Sequence, residues 1–179
     1  GGSEFGAVTV HADGSATISA GTSAHGQGHA TAFAMLASDR LGIPFEKIRF
    51  VQSDTALVPR GGGTGGSRSL QMGGNAVGQA ADEVHEKAVR IAAQMLEALQ
   101  YLHGQSIVHR DVKSANLMVC AGDQVKLMDL GLSKGNLPTE MHSRLTDSGM
   151  VMGTAAYVAP EQILDSSKVT YRSDLYAAG

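Results

Sequence analysis

The strongest pattern in this chain is a long helical one near its middle. Apolar residues recur at helical spacing from Gly74 to Leu102, and no Gly or Pro interrupts the segment from Gln79 to His103. The repeating positions are Val84, Ala88, Ile91, Met95, Leu99 and Leu102. This spacing predicts one helix over about 74–102. We therefore expect an α+β chain of two small lobes joined by this helix.

The lobe before the helix is predicted to contain a hairpin, a helix and a strand. Residues 7–20 alternate around the turn pair Asp13-Gly14, which is typical of a β-hairpin. Helical spacing follows over 32–41, and residues 47–52 favour a short strand. The run 60–66 contains five glycines, too many for a regular element, and predicts a loop that another backbone approaches closely.

The lobe after the helix is predicted to contain a second hairpin. Residues 117–119 and 125–128 favour two short strands, joined by the turn-forming segment 121–123. The segment 129–161 is polar and rich in Ser and Thr, which favours a long loop. A terminal helix completes this lobe.

Composition excludes several classes of partner. The chain has 179 residues, 42% of them hydrophobic, and a formal net charge of -3. Its few Lys and Arg residues are scattered, so no surface for nucleic acid is expected. No window approaches the length of apolar sequence that spans a membrane. Cys120 is the only cysteine and cannot form an internal disulfide, so a soluble, cytoplasmic protein is expected.

The sequence before the first predicted helix suits a phosphate-rich ligand. Gly26-Gln27-Gly28-His29 leads directly into that helix, so glycines permit close approach while the helix N-terminus presents free N–H groups. With the run 61–69, this motif resembles the molybdopterin-binding region of the xanthine dehydrogenase, aldehyde oxidase and carbon monoxide dehydrogenase large subunits. The resemblance covers residues 6–93.

This resemblance implies a molybdopterin cytosine dinucleotide held by two strips of residues. The first strip is Gly26, Gln27 and Gly28. The second strip is Gly65, Gly66, Ser67, Arg68 and Ser69. Arg68 and the hydroxyls of the second strip are expected near the phosphates.

Two other interpretations of the glycine motif are open. His25 and His29 lie four residues apart and could bind zinc from one face of a helix. Gly26 and Gly28 favour a loop there instead, and no third ligand is near in the sequence. The glycines could also be ordinary loop residues without a ligand.

The second half carries three short motifs in a fixed order. They are His109-Arg110-Asp111-Val112-Lys113-Ser114-Ala115-Asn116, then Asp129-Leu130-Gly131, then Ala159-Pro160-Glu161. Their order and spacing resemble the catalytic and activation segments of Ser/Thr protein kinases, so residues 94–179 resemble part of a kinase C-lobe. Leu130 stands where Phe is usual, and Ser114 stands where Pro is common.

The kinase resemblance implies a role for each polar residue of these motifs. Asp111 would accept the proton of a Ser or Thr hydroxyl on a protein substrate, and Lys113 would contact the phosphate transferred from ATP. Asn116 and Asp129 would bind Mg²⁺ through oxygen ligands. Asp174, near the start of the terminal helix, would brace the backbone of the catalytic loop.

The segment between the second and third motifs is the expected site of regulation. A phosphate on Ser143, Thr146 or Ser148 would pair with Arg110. Residues 153–157 resemble the substrate-positioning loop of Ser/Thr kinases, which favours Ser or Thr over Tyr as the acceptor.

Neither half carries a complete enzyme. The sequence contains no Gly-rich loop ahead of a Val-Ala-x-Lys strand, no helix Glu to pair with that Lys, and no expected partner for Glu161. The catalytic Glu of the molybdenum family is also missing. We therefore expect a fusion of two incomplete fragments, 1–93 and 94–179, that change family near 94–97 inside one helix.

The expected consequence is a chain without turnover of its own. Neither Mg-ATP nor the pterin dinucleotide is expected to bind tightly. The alternative is a binding module that keeps weak affinity for Mg-nucleotide or pterin dinucleotide without catalysis. Uncovered apolar residues in the kinase-like half favour self-association, and they are Leu117, Val119, Leu127 and Leu175.

Overall fold

The computed structural model of the chain describes residues 4–66, 68–130, 157–164 and 168–179. The chain divides into two compact units, Gly1–Ala88 (unit 1) and Val89–Gly179 (unit 2). The described residues combine helices with short strands, which confirms the predicted α+β class. The assignment of a pterin-binding domain to 1–93 and a kinase domain to 94–179 stays a prediction.

Unit 1 begins with the predicted hairpin. β1 (Gly6–Val10) pairs antiparallel with β2 (Ala16–Ala20). At the turn, the Asp13 carboxylate accepts hydrogen bonds from the hydroxyl and the N–H of Ser15, at 2.7 and 2.9 Å. These bonds stabilise the charged carboxylate and hold the pKa of Asp13 below its usual value.

A helix and a third strand complete the sheet. α1 (His29–Leu41) connects β2 to β3 (Ile48–Val51), which lies parallel to β2. The strand order is therefore β1-β2-β3. α1 ends at Gly42, as predicted, and the Gly42 N–H donates to the Ser38 carbonyl at 2.9 Å. The helix forms the crossover that a parallel strand pair needs.

The long helix predicted in the middle of the chain is confirmed. α2 spans Ser69–Gly104 as one helix. It begins earlier than predicted, because the Met72 N–H already donates to the Arg68 carbonyl at 2.8 Å. Ser69, the last residue of the second predicted strip, is therefore helical, and it is buried.

The core of unit 1 lies between one face of the sheet and the two helices. Its fully buried members include Ile18 from β2, Phe33 from α1 and Val77 from α2. Phe33 also meets Phe50 of β3 edge to face, with ring centroids 5.5 Å apart. Removal of these apolar side chains from water is the main force that holds the unit together.

Gly73 lets α2 pack closely against this core. A Cβ atom at Gly73 would lie 2.9 Å from Cζ of Phe33 and 3.0 Å from Oγ1 of Thr22. Both neighbours are fully buried in a close-packed interior and have little room to move. Packing therefore favours glycine at a position in a helix where its low helix propensity would otherwise be unfavourable.

Unit 2 contains the second predicted hairpin and the terminal helix. β4 (Leu117–Val119) pairs antiparallel with β5 (Val125–Leu127) through a tight turn at Ala121–Asp123. α3 (Pro160–Leu164) precedes the terminal helix α4 (Tyr171–Ala178). Three of these four elements match predicted segments, whereas α3 begins in the segment 129–161, where the sequence favoured only a loop.

Two side chains of α2 tie the hairpin of unit 2 to that helix, and one of them is Arg90, whose Nη2 lies 3.6 Å from Oδ2 of Asp123. The Gln94 amide donates to the Asp123 carbonyl at 2.9 Å and accepts from the Val125 N–H at 3.1 Å. Leu99 and Leu102, on later turns of α2, are buried. The part of α2 near the predicted change of family is therefore packed and hydrogen-bonded within unit 2.

Several large apolar side chains of unit 2 stay exposed. Leu164 is 84% exposed, and Val119 and Leu175 are 45% and 46% exposed, as expected from their lack of cover. Self-association through such residues stays a prediction, which a measurement of the mass of the protein in solution would test.

Within the described ranges no helix has the length and apolarity needed to cross a membrane. The cytoplasmic location stays a prediction.

Replacing Gly73 with Ala is expected to lower the free energy of unfolding of unit 1. The new methyl group must displace Phe33 or Thr22, which costs about 1–3 kcal/mol and outweighs a gain of about 1 kcal/mol in helix propensity. Gly74→Ala is the matched control, because its Cβ would lie 3.8 Å from Cε1 of Phe33, an ordinary contact. Urea unfolding followed by circular dichroism measures both variants. Equal stability of the two would contradict the packing argument.

Candidate functional site

The carboxyl ends of β2 and β3 meet at one edge of the sheet in unit 1. Because these strands run parallel, the segments that follow them, 21–28 and 52–66, leave the sheet at the same edge. A hydrogen bond joins the two segments, with Ser23 Oγ 2.9 Å from Ser53 Oγ. This edge is the candidate ligand site of unit 1.

Glycines bring the two segments into direct backbone contact. A Cβ atom on Gly61 would lie only 2.1 Å from the carbonyl oxygen of Gly21, so a larger residue does not fit there. The Thr64 hydroxyl also donates to the Ser23 carbonyl. The glycine run therefore serves close backbone approach, as the sequence predicts.

A cleft of about 200 Å³ opens between the two segments. Its polar lining includes Ser23, Ser53, Asp54 and Thr55. None of the described residues that were predicted to bind the cofactor lines this cleft. It is lined instead by their neighbours in the same two segments.

The polar residues that follow β3 are missing from the sequence-based prediction. Ser53 adopts a left-handed φ of 59°, which is uncommon for a residue with a side chain. Oδ1 of Asp54 accepts the Ala56 N–H at 2.9 Å and forms a local turn. The signal that could have found them is the parallel pairing of β2 and β3, because ligands bind beyond the carboxyl ends of parallel strands.

The first predicted strip lies at the N-terminus of α1. Gly26, Gln27 and Gly28 are all exposed. Gly28 caps the helix with a φ of 75° and no side-chain hydrogen bond, so the first-turn N–H groups lack a side-chain cap and can serve an anion. Oε1 of Gln27 accepts the N–H of His25.

The second predicted strip lies between the glycine run and α2. Gly65, Gly66 and Arg68 are exposed, Ser69 is buried, and Ser67 lies outside the described residues. The Arg68 side chain folds back over Gly66, with Nε 3.4 Å from the position that a Cβ would take. An exposed guanidinium beside uncovered backbone suits a phosphate group.

Two buried polar atoms belong to the segment that contains the first strip. Oγ1 of Thr22 and Nδ1 of His29 have no hydrogen-bond partner in the described part of the chain. Buried polar atoms are normally paired, and a polar group bound at this edge could pair with them. Free N–H groups, glycines, hydroxyls and one guanidinium form a donor set that fits a phosphate-bearing pterin.

The zinc alternative finds no support. His29 is buried and stacks on Phe33 with ring centroids 5.2 Å apart, whereas His25 is exposed. The two imidazoles therefore do not share one helix face, as a zinc pair would require. Among the residues that the structure describes, no group of three His, Cys, Asp or Glu side chains could hold a metal ion.

In unit 2, three of the four residues predicted for the kinase site form one cluster. Oδ2 of Asp111 lies 2.8 Å from Nζ of Lys113 and accepts from Nδ2 of Asn116 at 2.9 Å. Nδ2 of Asn116 also donates to the Asp111 carbonyl at 2.8 Å. Because Asn116 is buried, these bonds fix its orientation.

The fourth residue, Asp129, follows a residue whose backbone is hydrogen-bonded to this cluster. The N–H of the preceding Met128 donates to the Asn116 carbonyl at 2.8 Å. Asp129 itself is exposed and has a left-handed φ of 53°. In the described ranges no hydrogen bond joins its carboxylate to Asn116, and a shared Mg²⁺ site stays a prediction.

The buried carboxylate of Asp174 holds the backbone of the loop that contains His109 and Arg110. It accepts the N–H groups of His109 and Arg110, at 2.8 and 2.7 Å, and lies 2.8 Å from Nε2 of His103. Arg110 has a left-handed φ of 69°, a conformation that persists where the surroundings impose it. Asp174 therefore braces this loop, which is the role that the sequence predicts.

Glu161 has a partner that the sequence analysis did not foresee. Its Oε1 accepts the hydroxyl of Ser173, in the first turn of α4, at 2.6 Å. This hydrogen bond stabilises the charged carboxylate and lowers the pKa of Glu161. The Ser173 hydroxyl is not the kinase-type partner of Glu161 that is expected to be missing, so that expectation stays a prediction.

Several residues of the predicted regulatory segment lie outside the described residues. They are Gly131, the candidate phosphorylation sites Ser143, Thr146 and Ser148, and residues 153–156 of the predicted substrate-positioning loop. Their predicted roles stay predictions.

The family of the chain follows from a comparison with family models. The model for the molybdopterin cofactor-binding domain matches residues 2–166. The chain belongs to this family. The matched range extends past residue 93, where the sequence analysis ends the pterin-binding half, so it gives the predicted boundary no support.

Two relatives of this molybdopterin-binding domain are carbon monoxide dehydrogenases. The large chain from Hydrogenophaga pseudoflava is 46% identical over 90 residues, which cover 50% of this chain and 11% of the relative. The crystal structure of a Cu,Mo-CO dehydrogenase in a carbon monoxide reduced state is 32% identical, with a TM-score of 0.52, over 72% of this chain and 14% of that chain.

A protein kinase is also similar to part of the chain. The Ser/Thr kinase pkn3 from Myxococcus xanthus is 42% identical over 97 residues, which cover 52% of this chain and 18% of the kinase. This chain spans less than a fifth of the kinase and of each carbon monoxide dehydrogenase relative. The partial match leaves a kinase domain, and a fusion of two families, as predictions.

Removing the Ser173 hydroxyl is expected to raise the pKa of Glu161 toward its ordinary value. The lowered pKa means that the Ser173–Glu161 bond contributes stability above the ordinary pKa and loses it as the pH falls through the lowered pKa. A carbon-detected NMR titration of the Glu161 carboxyl group in Ser173→Ala measures the change.

Thr170→Ala is the control for this measurement. Thr170 caps α4 by accepting the Arg172 N–H at 3.3 Å, and no described bond joins it to Glu161. Its removal should weaken the helix cap and leave the Glu161 pKa unchanged. An equal rise in both variants would assign the shift to the order of α4 and not to the Ser173 hydroxyl.

Proposed function

We propose that this chain is a fusion of two incomplete enzyme fragments that share α2. Residues 1–93 derive from a molybdenum hydroxylase, and residues 94–179 derive from an ATP-dependent Ser/Thr protein kinase. The observation that carries the proposal is that each unit supplies a separate cluster suited to its own chemistry. Unit 1 has an uncapped helix N-terminus near a glycine run, and unit 2 has a braced acidic loop.

The first fragment is proposed to bind molybdopterin cytosine dinucleotide weakly. The N–H groups that follow Gly28 and the guanidinium of Arg68 would hold its phosphates. Gly63 and Gly65 have open space where a side chain would lie, so the pterin would lie against main chain there. When bound, this cofactor supplies the metal centre used by the hydroxylase family. The proposal for residues 1–93 is limited to binding of the cofactor.

The second fragment is proposed to retain the lower half of a phosphotransfer site. Asp111 is available to accept a proton from a protein hydroxyl, and Lys113 lies beside it with a positive charge. Asn116 and Asp129 would supply oxygen ligands to Mg²⁺. The sequence has no Gly-rich loop and no Lys–Glu pair to cover the nucleotide phosphates, so no turnover is proposed.

An alternative is a binding module that holds Mg-nucleotide or pterin dinucleotide without catalysis. The exposed, uncapped N-terminus of α1 and the hydroxyl-lined cleft of unit 1 favour the pterin dinucleotide for this role. Both proposals expect weak affinity, and the alternative differs in that ligand binding without turnover is itself the function of the chain.

Replacing Arg68 with Gln is expected to weaken binding of molybdopterin cytosine dinucleotide about tenfold, because one charge-assisted hydrogen bond to a phosphate is lost. Isothermal titration calorimetry on the full chain measures the dissociation constant. Arg49→Gln is the matched control, since it removes the same charge from an exposed position on β3 that lies outside both predicted strips. Equal affinities of the two variants, or no binding by the parent chain, would contradict the proposed cofactor site.

The full chain is expected to transfer no phosphate from Mg-ATP to a generic Ser/Thr protein substrate. Without a Gly-rich loop and a Lys–Glu pair, the nucleotide phosphates are not positioned for in-line transfer. Incorporation of labelled phosphate is compared between the parent chain and Asp129→Ala, in which the proposed metal ligand is removed. Activity that appears in the parent and vanishes in Asp129→Ala would overturn the proposed inactivity and establish a working kinase site.

A further inference from the structure

Gln162 uses both ends of its side-chain amide. It occupies the third residue of α3, and its Oε1 accepts the Ala159 N–H at 3.0 Å. Its Nε2 donates to the Arg110 carbonyl at 2.8 Å. The first bond is the backward half of a helix capping box. The second bond reaches the catalytic loop, 52 residues earlier in the chain.

The residue that Gln162 reaches is held from two sides. The Arg110 N–H donates to Oδ1 of the buried Asp174 at 2.7 Å, and the Arg110 carbonyl accepts from Gln162. Arg110 has a left-handed φ of 69°, which is uncommon for a residue with a side chain. Two hydrogen bonds, one on each peptide group that flanks this residue, favour the unusual conformation.

The Arg110 carbonyl shares one rigid peptide plane with the N–H of Asp111. That N–H donates to Nδ1 of His109 at 3.3 Å. Fixing the orientation of this plane therefore restricts the position of the Asp111 Cα atom and the direction in which the Asp111 side chain points. From there the Asp111 carboxylate reaches Nζ of Lys113 and Nδ2 of Asn116.

We propose that Gln162 is a positioning residue for the Asp111 carboxylate, acting through the Arg110 carbonyl. Nothing in the three sequence motifs marks this role, because Gln162 lies directly after Ala159-Pro160-Glu161 and outside them. The inference rests on the proposed kinase-type role of Asp111. Its geometric part, the control of one peptide plane by one amide, can be tested without phosphotransfer.

The Gln162→Glu variant separates the two bonds. A carboxylate still accepts the Ala159 N–H and preserves the helix cap, but it cannot donate to the Arg110 carbonyl and places negative charge against it. Gln162→Met keeps a similar side-chain volume and removes both bonds. The two variants of the full chain are compared with the parent by NMR, through the Arg110 carbonyl shift and the amide hydrogen exchange of Asp111 and Ala159.

The expected result is a shifted Arg110 carbonyl resonance in both variants. Exchange at the Asp111 amide should be about two- to tenfold faster in both, as expected when one hydrogen bond that orders the plane is lost. Exchange at the Ala159 amide should change only in Gln162→Met. If Gln162→Glu leaves Arg110 and Asp111 as in the parent, Gln162 is a helix cap alone and the proposal is overturned.

The outcomes also separate this inference from the proposed function. A parent chain without phosphotransfer whose Asp111 amide responds to Gln162→Glu supports the positioning role, whatever the ancestry of unit 2. A parent chain with phosphotransfer that Gln162→Glu leaves unchanged, together with unchanged Asp111 exchange, overturns the positioning role and leaves the kinase function standing. If Gln162→Glu lowers the exchange protection of all of unit 2 by the same factor as that of the Asp111 amide, Gln162 supports the fold of the unit in general and the positioning role is overturned.

Discussion

Both buried cores of this chain depend on the apolar face of α2. Val77 and Ala81, near its beginning, are fully buried in unit 1, and Leu99, near its end, is fully buried in unit 2. A helix fixes the direction of each side chain relative to those one turn away, so each part of α2 supplies an apolar face to its own unit. Breaking α2 would remove buried apolar side chains from both units.

The two units hold their functional loops in different ways. In unit 1, the absence of side chains at Gly21 and Gly61 lets two segments touch through their backbones. A hydrogen bond between the hydroxyls of Ser23 and Ser53 also joins these segments. In unit 2, one buried carboxylate, Asp174, and one amide, Gln162, hold the backbone at Arg110. The first arrangement leaves N–H groups and glycine surface open to a ligand. The second arrangement fixes the direction of a single acidic side chain.

Most elements of the fold follow from local pattern. The alternation around Asp13-Gly14, the apolar spacing of α2 and the turn at Ala121–Asp123 each specify their element through contacts between near neighbours in sequence. The cleft beside Ser53 was missed because it depends on the parallel pairing of β2 and β3, which no local pattern states. The hydrogen bond between Ser173 and Glu161 was missed for a related reason. The sequence does not show which carboxylate a given hydroxyl will contact.

The sequence by itself determined most kinds of element, the presence of one long central helix and the residue types gathered in each loop. Membership of the molybdopterin cofactor-binding family agrees with the glycine motif that the sequence displays. Only the tertiary structure decided which of these residues meet. His29 points into the core and not toward His25, and Asp111 is set by groups that lie far along the chain. The physical reason is that spacing along a chain specifies local hydrogen bonds and faces, whereas contacts between distant segments depend on how the faces pack.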